Sequence, residues 1–247
     1  MTFDAHPRSS LIVALDFDSL SAALRFAQKI SDLVGMFKIG SQLFSSAGPE
    51  AVKQIAALGN SIFLDLKFHD IPNTVAGAVL SSAAMPGVQL VNVHALGGTA
   101  MLEAAVQAVS AGVPMGADRT RLIAVTILTS MDHKAMREAG IAGTPLAQAV
   151  KLARLAKTCG VDGVVASVQE SKAIRKACGR EFLIVTPGVR PAEKSAGKKK
   201  DDQARTATPA QAIKAGADYI VVGRPIIAAE DPRAAAQAIV EEIASAK

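Results

Sequence analysis

The chain has 247 residues, of which 50% are hydrophobic and 20% are charged. This composition is typical of a globular protein with a sizeable core and excludes disordered, collagen-like and disulfide-stapled proteins. Lysine and arginine number 27 against 22 aspartates and glutamates, so the net charge is +5. A basic chain can bind nucleic acid or anionic small molecules, but aromatic residues make up only 4% and tryptophan is absent. Because base stacking needs aromatic side chains, we expect an anionic metabolite as ligand and no nucleic acid.

Neither a targeting segment nor a membrane span is evident in the sequence. Residues 1–10 are polar, unlike the apolar region of a signal peptide, and no uncharged apolar run reaches the ~18 residues that a span requires. The two cysteines, Cys159 and Cys178, have no metal-binding or redox spacing, which is typical of reduced structural thiols. We therefore expect a soluble cytoplasmic protein that does not bind membranes, with residues 1–10 as an N-terminal tail.

Eight short runs rich in β-branched residues recur along the chain, with helical patterns between them. Most runs are continuously apolar, as in parallel strands that are covered on both faces. Eight strands alternating with helices in about 250 residues predict an α/β fold, a (β/α)8 TIM barrel formed by residues 1–247 as a single domain. A doubly wound sheet is the alternative, but the first strand lacks the glycines of a dinucleotide-binding turn. The predicted strands are 11–17, 36–40, 62–67, 90–95, 122–128, 163–168, 182–188 and 219–224.

Three helix starts are marked by capping residues. Asp18 or Ser19 precedes a segment whose apolar residues recur every three or four positions, as on one face of a helix. Thr208 and Asp231 each precede a proline, which is favoured at the first helical position because it has no N–H to leave unpaired. These patterns predict helices that begin directly after the capping residues.

The segment 189–207, between the seventh strand and the next helix, is long and polar. Loops of this length inside a compact domain usually cover or bind ligands. In a barrel of this kind the loops after strands seven and eight commonly bind phosphate. We therefore predict a mobile phosphate-binding loop at 189–207. Its cationic residues are Arg190, Lys194, Lys198, Lys199, Lys200 and Arg205.

Charged residues stand at the carboxyl ends of the first three strands. Asp65 and Lys67 are two residues apart in the third strand, so strand alternation aims both side chains into the barrel. Asp70 follows them, Lys38 interrupts the apolar second strand, and Asp16 ends the first. The alternative to catalysis is an ion-pair network that fixes the barrel register. Because buried ion pairs stabilise a fold only weakly, we favour catalysis at this end of the barrel.

Further polar residues stand at the ends of the later strands. Arg190 and Arg224 can bind a phosphate through two parallel hydrogen bonds, and Gly223 allows the backbone to approach a ligand closely. Thr129 and Ser130, after the fifth strand, can either bond to the edge of a base or satisfy neighbouring backbone groups. These positions extend the predicted site from the third strand to the eighth.

The histidines and carboxylates do not form a recognisable metal site. Carboxylates alone can recruit Mg²⁺, but two lysines stand among the aspartates and neutralise them. His94 lies in an apolar strand, a position typical of a core histidine whose hydrogen bonds are satisfied. We therefore predict no metal ion.

The charged residues lie in motifs that resemble the orotidine 5′-phosphate decarboxylase family. The ten residues at 65–74, D-L-K-F-H-D-I-P-N-T, look like the signature of that family. The resemblance covers nearly the whole chain, because six further motifs follow the family's order. They are V-A-L-D at 13–16, F-K-I-G at 37–40, V-N-V-H-A at 91–95, A-V-T-I-L-T-S-M at 124–131, T-P-G-V-R-P at 186–191 and V-G-R-P at 222–225.

The resemblance implies decarboxylation of orotidine 5′-phosphate to UMP, without a cofactor, by a homodimer. Lys67 would donate a proton to C6 of the pyrimidine, within an alternating array that also contains Lys38, Asp65 and Asp70. Asp70 and Thr74 would reach into the site of the partner subunit. The other implied contacts are Asp16 and Lys38 with the ribose, Thr129 and Ser130 with the base, and Arg190, Gln203, Gly223 and Arg224 with the phosphate.

Three other functions remain open on the sequence. Similar barrels that act on sugar phosphates, such as 3-keto-gulonate-6-phosphate decarboxylase and hexulose-phosphate synthase, share an Asp-x-Lys strand motif but use Mg²⁺. The I-P-N-T sequence after Asp70 disfavours them. A non-catalytic nucleotide-binding barrel has no need of the complete charged array. A nucleic-acid binder that used the basic loop would show strongly salt-dependent binding.

Overall fold

Eight parallel strands close into a barrel in which sequence neighbours pair and β1 also pairs with β8. The computed structural model describes residues 6–111, 119–191 and 207–247. The predicted (β/α)8 barrel is confirmed. The strands are β1 Leu11–Ala14, β2 Met36–Gly40, β3 Ser61–Phe68, β4 Val88–His94, β5 Arg121–Val125, β6 Gly163–Val165, β7 Leu183–Thr186 and β8 Tyr219–Val222.

Helices surround the barrel and connect its parallel strands. They are α1 Leu20–Ile30, α2 Ser41–Ala47, α3 Pro49–Ala56, α4 Pro72–Ala83, α5 Gly98–Ala111, α6 His133–Glu138, α7 Pro145–Thr158, α8 Val168–Cys178, α9 Pro209–Lys214, α10 Arg224–Ile227 and α11 Pro232–Ala244. The predicted starts of α1, α9 and α11 are confirmed, since the side chains of Ser19, Thr208 and Asp231 accept hydrogen bonds from backbone N–H groups of the first turn. Within the described ranges, no helix combines the length and the hydropathy needed to span a bilayer.

The core has two layers, one inside the barrel and one between the strands and the helices. Residues such as Ile12, Phe63 and Leu90 fill the interior and are almost completely buried. Their strand neighbours, such as Val13 and Leu64, belong to the outer layer that packs against the helices. Because both faces of the strands are covered, the strands consist mainly of apolar residues without alternation.

Several strands end earlier than the apolar runs from which they are predicted. β1 ends at Ala14 and β5 ends at Val125, whereas the runs continue to positions 17 and 128. Beyond these strand ends Leu15 and Ile127 are still buried, whereas Leu128 is 36% exposed. Burial, and not strand pairing, therefore accounts for Leu15 and Ile127 in these runs.

Part of the predicted N-terminal tail belongs to the folded domain. Pro7–Ser10 form a 3-10 helix that contacts α11 and β8, and Ser10 is buried. The Arg8 guanidinium donates a hydrogen bond to the carbonyl oxygen of Asp32 at 2.9 Å. These contacts order residues that the polar composition of the segment assigns to a tail.

Candidate active site

A cavity of about 890 Å³ opens at the carboxyl ends of the strands. Its lining includes four charged residues of the first three β-α units and four residues of later units: Asp16, Lys38, Asp65, Lys67, Thr129, Arg190, Gly223 and Arg224. Another cavity, of about 660 Å³ at the amino ends of the strands, contains none of the predicted site residues. These eight predicted residues therefore meet at the end of the barrel where enzymes of this architecture carry their catalytic groups.

Four of the predicted side chains form a continuous row of alternating charge. The Lys38 ammonium lies 3.3 Å from Asp16 Oδ1 and 3.3 Å from Asp65 Oδ2. The Lys67 ammonium lies 2.6 Å from Asp65 Oδ1. The side chains of Asp65 and Lys38 are 9% and 11% exposed, whereas those of Lys67 and Asp16 are 38% and 49% exposed. A buried inner pair thus supports two outer groups that solvent or a ligand can reach.

Burial and the neighbouring charges shift the pKa values of the inner pair, Lys38 and Asp65, in opposite directions. Burial would lower the pKa of Lys38, but the carboxylates of Asp65 and Asp16 outweigh it and raise that pKa above its ordinary value. Burial would raise the pKa of Asp65, but Lys38 and Lys67, with a hydrogen bond from Asn92, outweigh it and lower that pKa. Both groups are therefore charged at neutral pH. In the described part of the chain, no three histidine, cysteine, aspartate or glutamate side chains stand together as potential metal ligands.

Backbone geometry holds the lysines and aspartates in these positions. The Leu15 N–H donates to the Lys38 carbonyl oxygen at 2.9 Å, which keeps the neighbouring Asp16 beside β2. A Cβ atom at Gly40 would lie 2.8 Å from the Lys38 ammonium, so a larger residue at this position would require that ammonium to shift. Lys67 has a φ of 52°, and among the described residues it is the one non-glycine residue with a positive φ.

The two charged residues of β3 both face the cavity, and a bulge in the pairing of β3 with β4 lies at the same place. Leu64 pairs with Val91 and Phe68 pairs with Val93, so three residues of β3 stand opposite one residue of β4. This bulge interrupts the hydrogen-bond ladder between the two strands. Asp65 and Lys67 nevertheless line the cavity, whereas Leu64 and Leu66 pack with the outer layer of the core, so these side chains alternate as predicted.

Asn92, which no motif singles out by its chemistry, belongs to the same group. It lies in β4 and is completely buried. Its Nδ2 atom donates to Asp65 Oδ1 at 2.6 Å, and its Oδ1 atom accepts from the Lys67 N–H at 2.8 Å. In the sequence, the one sign of this role is that Asn92 places a polar amide side chain inside the apolar run 90–93. The partners of that amide become visible only when the register of β3 against β4 is known.

The structure describes three of the four predicted phosphate-binding residues. Arg190 and Arg224 line the cavity together with Gly223, which links β8 to α10. The ends of the predicted loop are joined, because the Arg190 N–H donates to the Ala207 carbonyl oxygen at 2.9 Å. Gln203 lies in the range 192–206, outside the described residues. Arg190 and Arg224, two of the side chains predicted to bind phosphate, thus line the cavity that contains the charged row.

Comparison with known proteins assigns the family. A sequence model described as "Orotidine 5′-phosphate decarboxylase / HUMPS family" matches residues 9–239. The chain belongs to this family. It is 52% identical over 236 residues to orotidine 5′-phosphate decarboxylase of Geotalea daltonii, covering 96% of each chain. It is 50% identical over 244 residues to that of Moorella thermoacetica, covering 98% of this chain and 95% of the other.

A solved structure of the orotidine 5′-phosphate decarboxylase family shares the fold. The crystal structure of orotidine 5′-phosphate decarboxylase from Lactobacillus acidophilus matches with a TM-score of 0.82 and 40% sequence identity. The match covers 94% of this chain and 98% of the other. The barrel described above is therefore the fold of this decarboxylase family.

Of the predicted site residues that the structure describes, three lie outside the cavity lining. Asp70 and Thr74 are exposed at the start of α4, and Asp70 Oδ1 accepts a hydrogen bond from the Ile71 N–H at 2.6 Å. Ser130 is exposed in the turn after β5, whereas the adjacent Thr129 lines the cavity. A single chain therefore brings together the buried part of the charged array and leaves Asp70 and Thr74 outside it.

His94, at the end of β4, differs from the predicted core histidine with satisfied hydrogen bonds. Its Nδ1 atom is buried and has no hydrogen-bond partner among the described residues. Its ring stacks on that of His69, with the centroids 5.3 Å apart. Burial, followed by repulsion from His69 and Lys67, lowers the pKa of His94 to about 4. The ring therefore stays neutral in the folded protein at neutral pH.

The lowered pKa of His94 predicts a loss of stability in weak acid. An unfolded histidine binds a proton near pH 6.5, whereas folded His94 does so only near pH 4. The unfolded state therefore gains protons first as the pH falls, and stability that is complete above pH 6.5 is lost toward pH 4. Between pH 7.5 and 5.0, we expect the unfolding free energy of the wild type to fall by about 1 kcal/mol more than that of His94→Gln, allowing for solvent around a half-buried ring.

Urea titrations at the two pH values measure this difference. His133→Gln is the matched control, because it replaces an exposed histidine and should keep the wild-type pH dependence. An equal pH dependence in His94→Gln and the wild type would contradict the assignment.

Proposed function

We propose that this protein converts orotidine 5′-phosphate into UMP and CO₂, the last step of pyrimidine nucleotide synthesis. The observation that carries the proposal is the row formed by Asp16, Lys38, Asp65 and Lys67, whose oppositely charged atoms lie 2.6 to 3.3 Å apart in one cavity. Relatives named orotidine 5′-phosphate decarboxylase are 50% and 52% identical to this chain over almost its whole length. That similarity supports the same substrate.

In the proposed reaction Lys67 stabilises the transition state and supplies the proton. The bond between C6 of the pyrimidine and the carboxylate carbon breaks, CO₂ leaves, and the electron pair stays on C6. The Lys67 ammonium, held 2.6 Å from Asp65 Oδ1, presents a fixed positive charge to C6 and transfers one proton to it. Lys67 then regains a proton from water. We propose no cofactor, because the ammonium takes the part that an electron sink has in other decarboxylases.

The remaining lining residues suit the parts of the substrate that do not react. Arginine side chains match the geometry of a phosphate, and phosphate binding can assist a distant reaction when a loop closes over the ligand. We propose this closure for the segment 189–207 of the single domain. The proposed contacts are Asp16 and Lys38 with the ribose, Thr129 and Ser130 with the base, and Arg190, Gln203, Gly223 and Arg224 with the phosphate.

We also propose that the protein is a homodimer in which each subunit contributes residues to the active site of the other. Asp70 and Thr74 belong to the signature but stand exposed outside the cavity lining of their own chain. Between them Ile71 is 67% exposed, and Leu80 on α4 and Leu96 before α5 are each 42% exposed. Exposed apolar side chains on neighbouring elements favour contact with another subunit, which would carry Asp70 to the partner's Lys67.

Mixed dimers of two inactive variants test the shared site. Lys67→Ala lacks the proton donor and Asp70→Ala lacks the carboxylate supplied to the partner, so each variant alone is expected to be nearly inactive. In a mixed dimer, one of the two sites combines an intact Lys67 with an intact Asp70. Random association of equal amounts therefore restores roughly a quarter of the wild-type activity. If sedimentation shows mixed dimers but activity stays at the level of the separate variants, the shared site is wrong.

The absorbance of orotidine 5′-phosphate, followed with the purified protein and EDTA, tests the function. We expect rapid conversion to UMP with no added metal. The matching family description also includes HUMPS. Mg²⁺-dependent turnover of sugar phosphates, with no conversion of orotidine 5′-phosphate, would replace the proposal with the sugar-phosphate alternative. Tight binding of UMP without turnover of either substrate would replace it with a binding protein.

A further inference from the structure

Asn92 occupies a position in which both halves of its side-chain amide are engaged. Its Nδ2 atom donates to Asp65 Oδ1 at 2.6 Å, and its Oδ1 atom accepts from the Lys67 N–H at 2.8 Å. The opposite orientation of the amide would place an N–H donor against the Lys67 N–H. Asn92 is 0% exposed and does not line the cavity. It therefore contacts two residues of the charged row without being in reach of a ligand.

The bulge between β3 and β4 explains why an amide is needed at this place. Three residues of β3 stand opposite Asn92 alone, so the regular ladder offers no backbone acceptor to the Lys67 N–H. Lys67 also adopts a φ of 52°, a conformation that is unfavourable for residues other than glycine because the Cβ atom crowds the carbonyl oxygen. The Asn92 side chain replaces the missing acceptor and so holds Lys67 in this unfavourable conformation.

The same amide controls which way the Asp65 carboxylate faces. Asp65 Oδ1 accepts from both Asn92 Nδ2 and the Lys67 ammonium, at 2.6 Å each. Asp65 Oδ2 is left to face Lys38 at 3.3 Å. One buried side chain thus sets the backbone from which the Lys67 ammonium extends and the carboxylate toward which that ammonium points.

We propose that Asn92 is a positioning residue that aims the Lys67 ammonium at the reacting carbon. The inference rests on the proposed function for its kinetic consequence. Because Asn92 does not touch the substrate, its loss leaves substrate binding nearly unchanged and lowers the rate of the chemical step. Loss of the hydrogen bonds that orient ligand side chains in metal sites typically costs about 10- to 100-fold in activity, and we expect a loss of the same size for the side chain that orients Lys67.

Steady-state kinetics of Asn92→Ala with orotidine 5′-phosphate test the role. We expect kcat to fall about 10- to 100-fold while KM changes less than about 3-fold. Asn92→Ser leaves a smaller void and is the second variant if the alanine variant does not fold. Thr120→Val is the matched control, because the buried Thr120 hydroxyl donates to the Val88 carbonyl oxygen at 2.8 Å, at the other end of β4. It removes a buried hydrogen bond to the same strand and should keep the wild-type kcat.

The outcomes separate positioning from a general structural role. A wild-type kcat in the folded Asn92 variants, a loss confined to KM, or an equal loss of kcat in Thr120→Val would each overturn the inference. A crystal structure of Asn92→Ala provides a readout that needs no substrate. We expect Lys67 to leave the positive φ region and its ammonium to move beyond 4 Å from Asp65, and an unchanged geometry would overturn the inference. If this movement occurs but the wild type does not decarboxylate orotidine 5′-phosphate, the proposed function fails and the positioning role stands.

Discussion

Lys67→Ala is expected to lower kcat/KM for orotidine 5′-phosphate at least ~10³-fold, which corresponds to about 4 kcal/mol of transition-state stabilisation. The variant removes the ammonium that lies 2.6 Å from Asp65 Oδ1 and is 38% exposed at the cavity. Negative charge that develops on C6 then meets no fixed positive charge, and no side chain is in place to deliver the proton. The initial rate of the absorbance change, measured at several concentrations of orotidine 5′-phosphate, gives kcat/KM for the variant and the wild type.

The fold of Lys67→Ala is expected to persist, so the loss reports on chemistry. Asp65 keeps its contact with Lys38 at 3.3 Å and therefore remains paired. Lys172→Ala is the control, because it removes an exposed lysine from α8 and should leave kcat/KM unchanged. Turnover near the wild-type level in a folded Lys67→Ala protein would remove Lys67 from the mechanism.

Asp65→Asn is expected to lower the unfolding free energy by about 3 kcal/mol, because it leaves the buried ammonium of Lys38 with the half-exposed Asp16 as its remaining carboxylate partner in the row. Asp65 is the only residue of the row that contacts both lysines, and the Lys38 side chain is only 11% exposed. The substitution keeps the shape of the side chain and removes its charge. Urea titration at neutral pH measures the change, and kcat/KM should fall as well because Lys67 loses the carboxylate that aims it.

Asp16→Asn is the matched control for this stability loss. It also removes a carboxylate 3.3 Å from Lys38, but Asp16 is 49% exposed, and solvent-exposed ion pairs contribute less than about 1 kcal/mol. The two variants therefore make the same chemical change, one at a buried carboxylate that contacts both lysines and the other at a half-exposed carboxylate that contacts Lys38. An equal and small loss in both would show that Asp65 does not stabilise the buried ammonium of Lys38.

Much of the candidate site follows from local sequence, because its side chains lie at the carboxyl ends of successive parallel strands. Asp16, Lys38, Asp65 and Lys67 interrupt or end apolar runs, and a barrel brings all such ends to one opening. Their mutual distances are then set by the width between adjacent strands. Asp70 and Thr74 carry the same motif signal, but the structure of one chain does not bring them to the cavity, so the shared site stays a prediction.

The barrel itself is determined by the order of apolar runs and helix caps along the chain. Continuous apolar strands need cover on both faces, and connections through helices make neighbouring strands parallel. Eight such repeats without a glycine-rich dinucleotide-binding turn then favour a closed barrel over a doubly wound sheet. Tertiary structure alone decides which residues of β3 leave the ladder and what replaces their lost partners. Asn92 meets Asp65 and the Lys67 N–H only because β3 and β4 pair with a bulge between Leu64 and Phe68. The physical reason is that hydrogen-bond partners across a sheet depend on register, and no pattern within either strand encodes a shift in register between them.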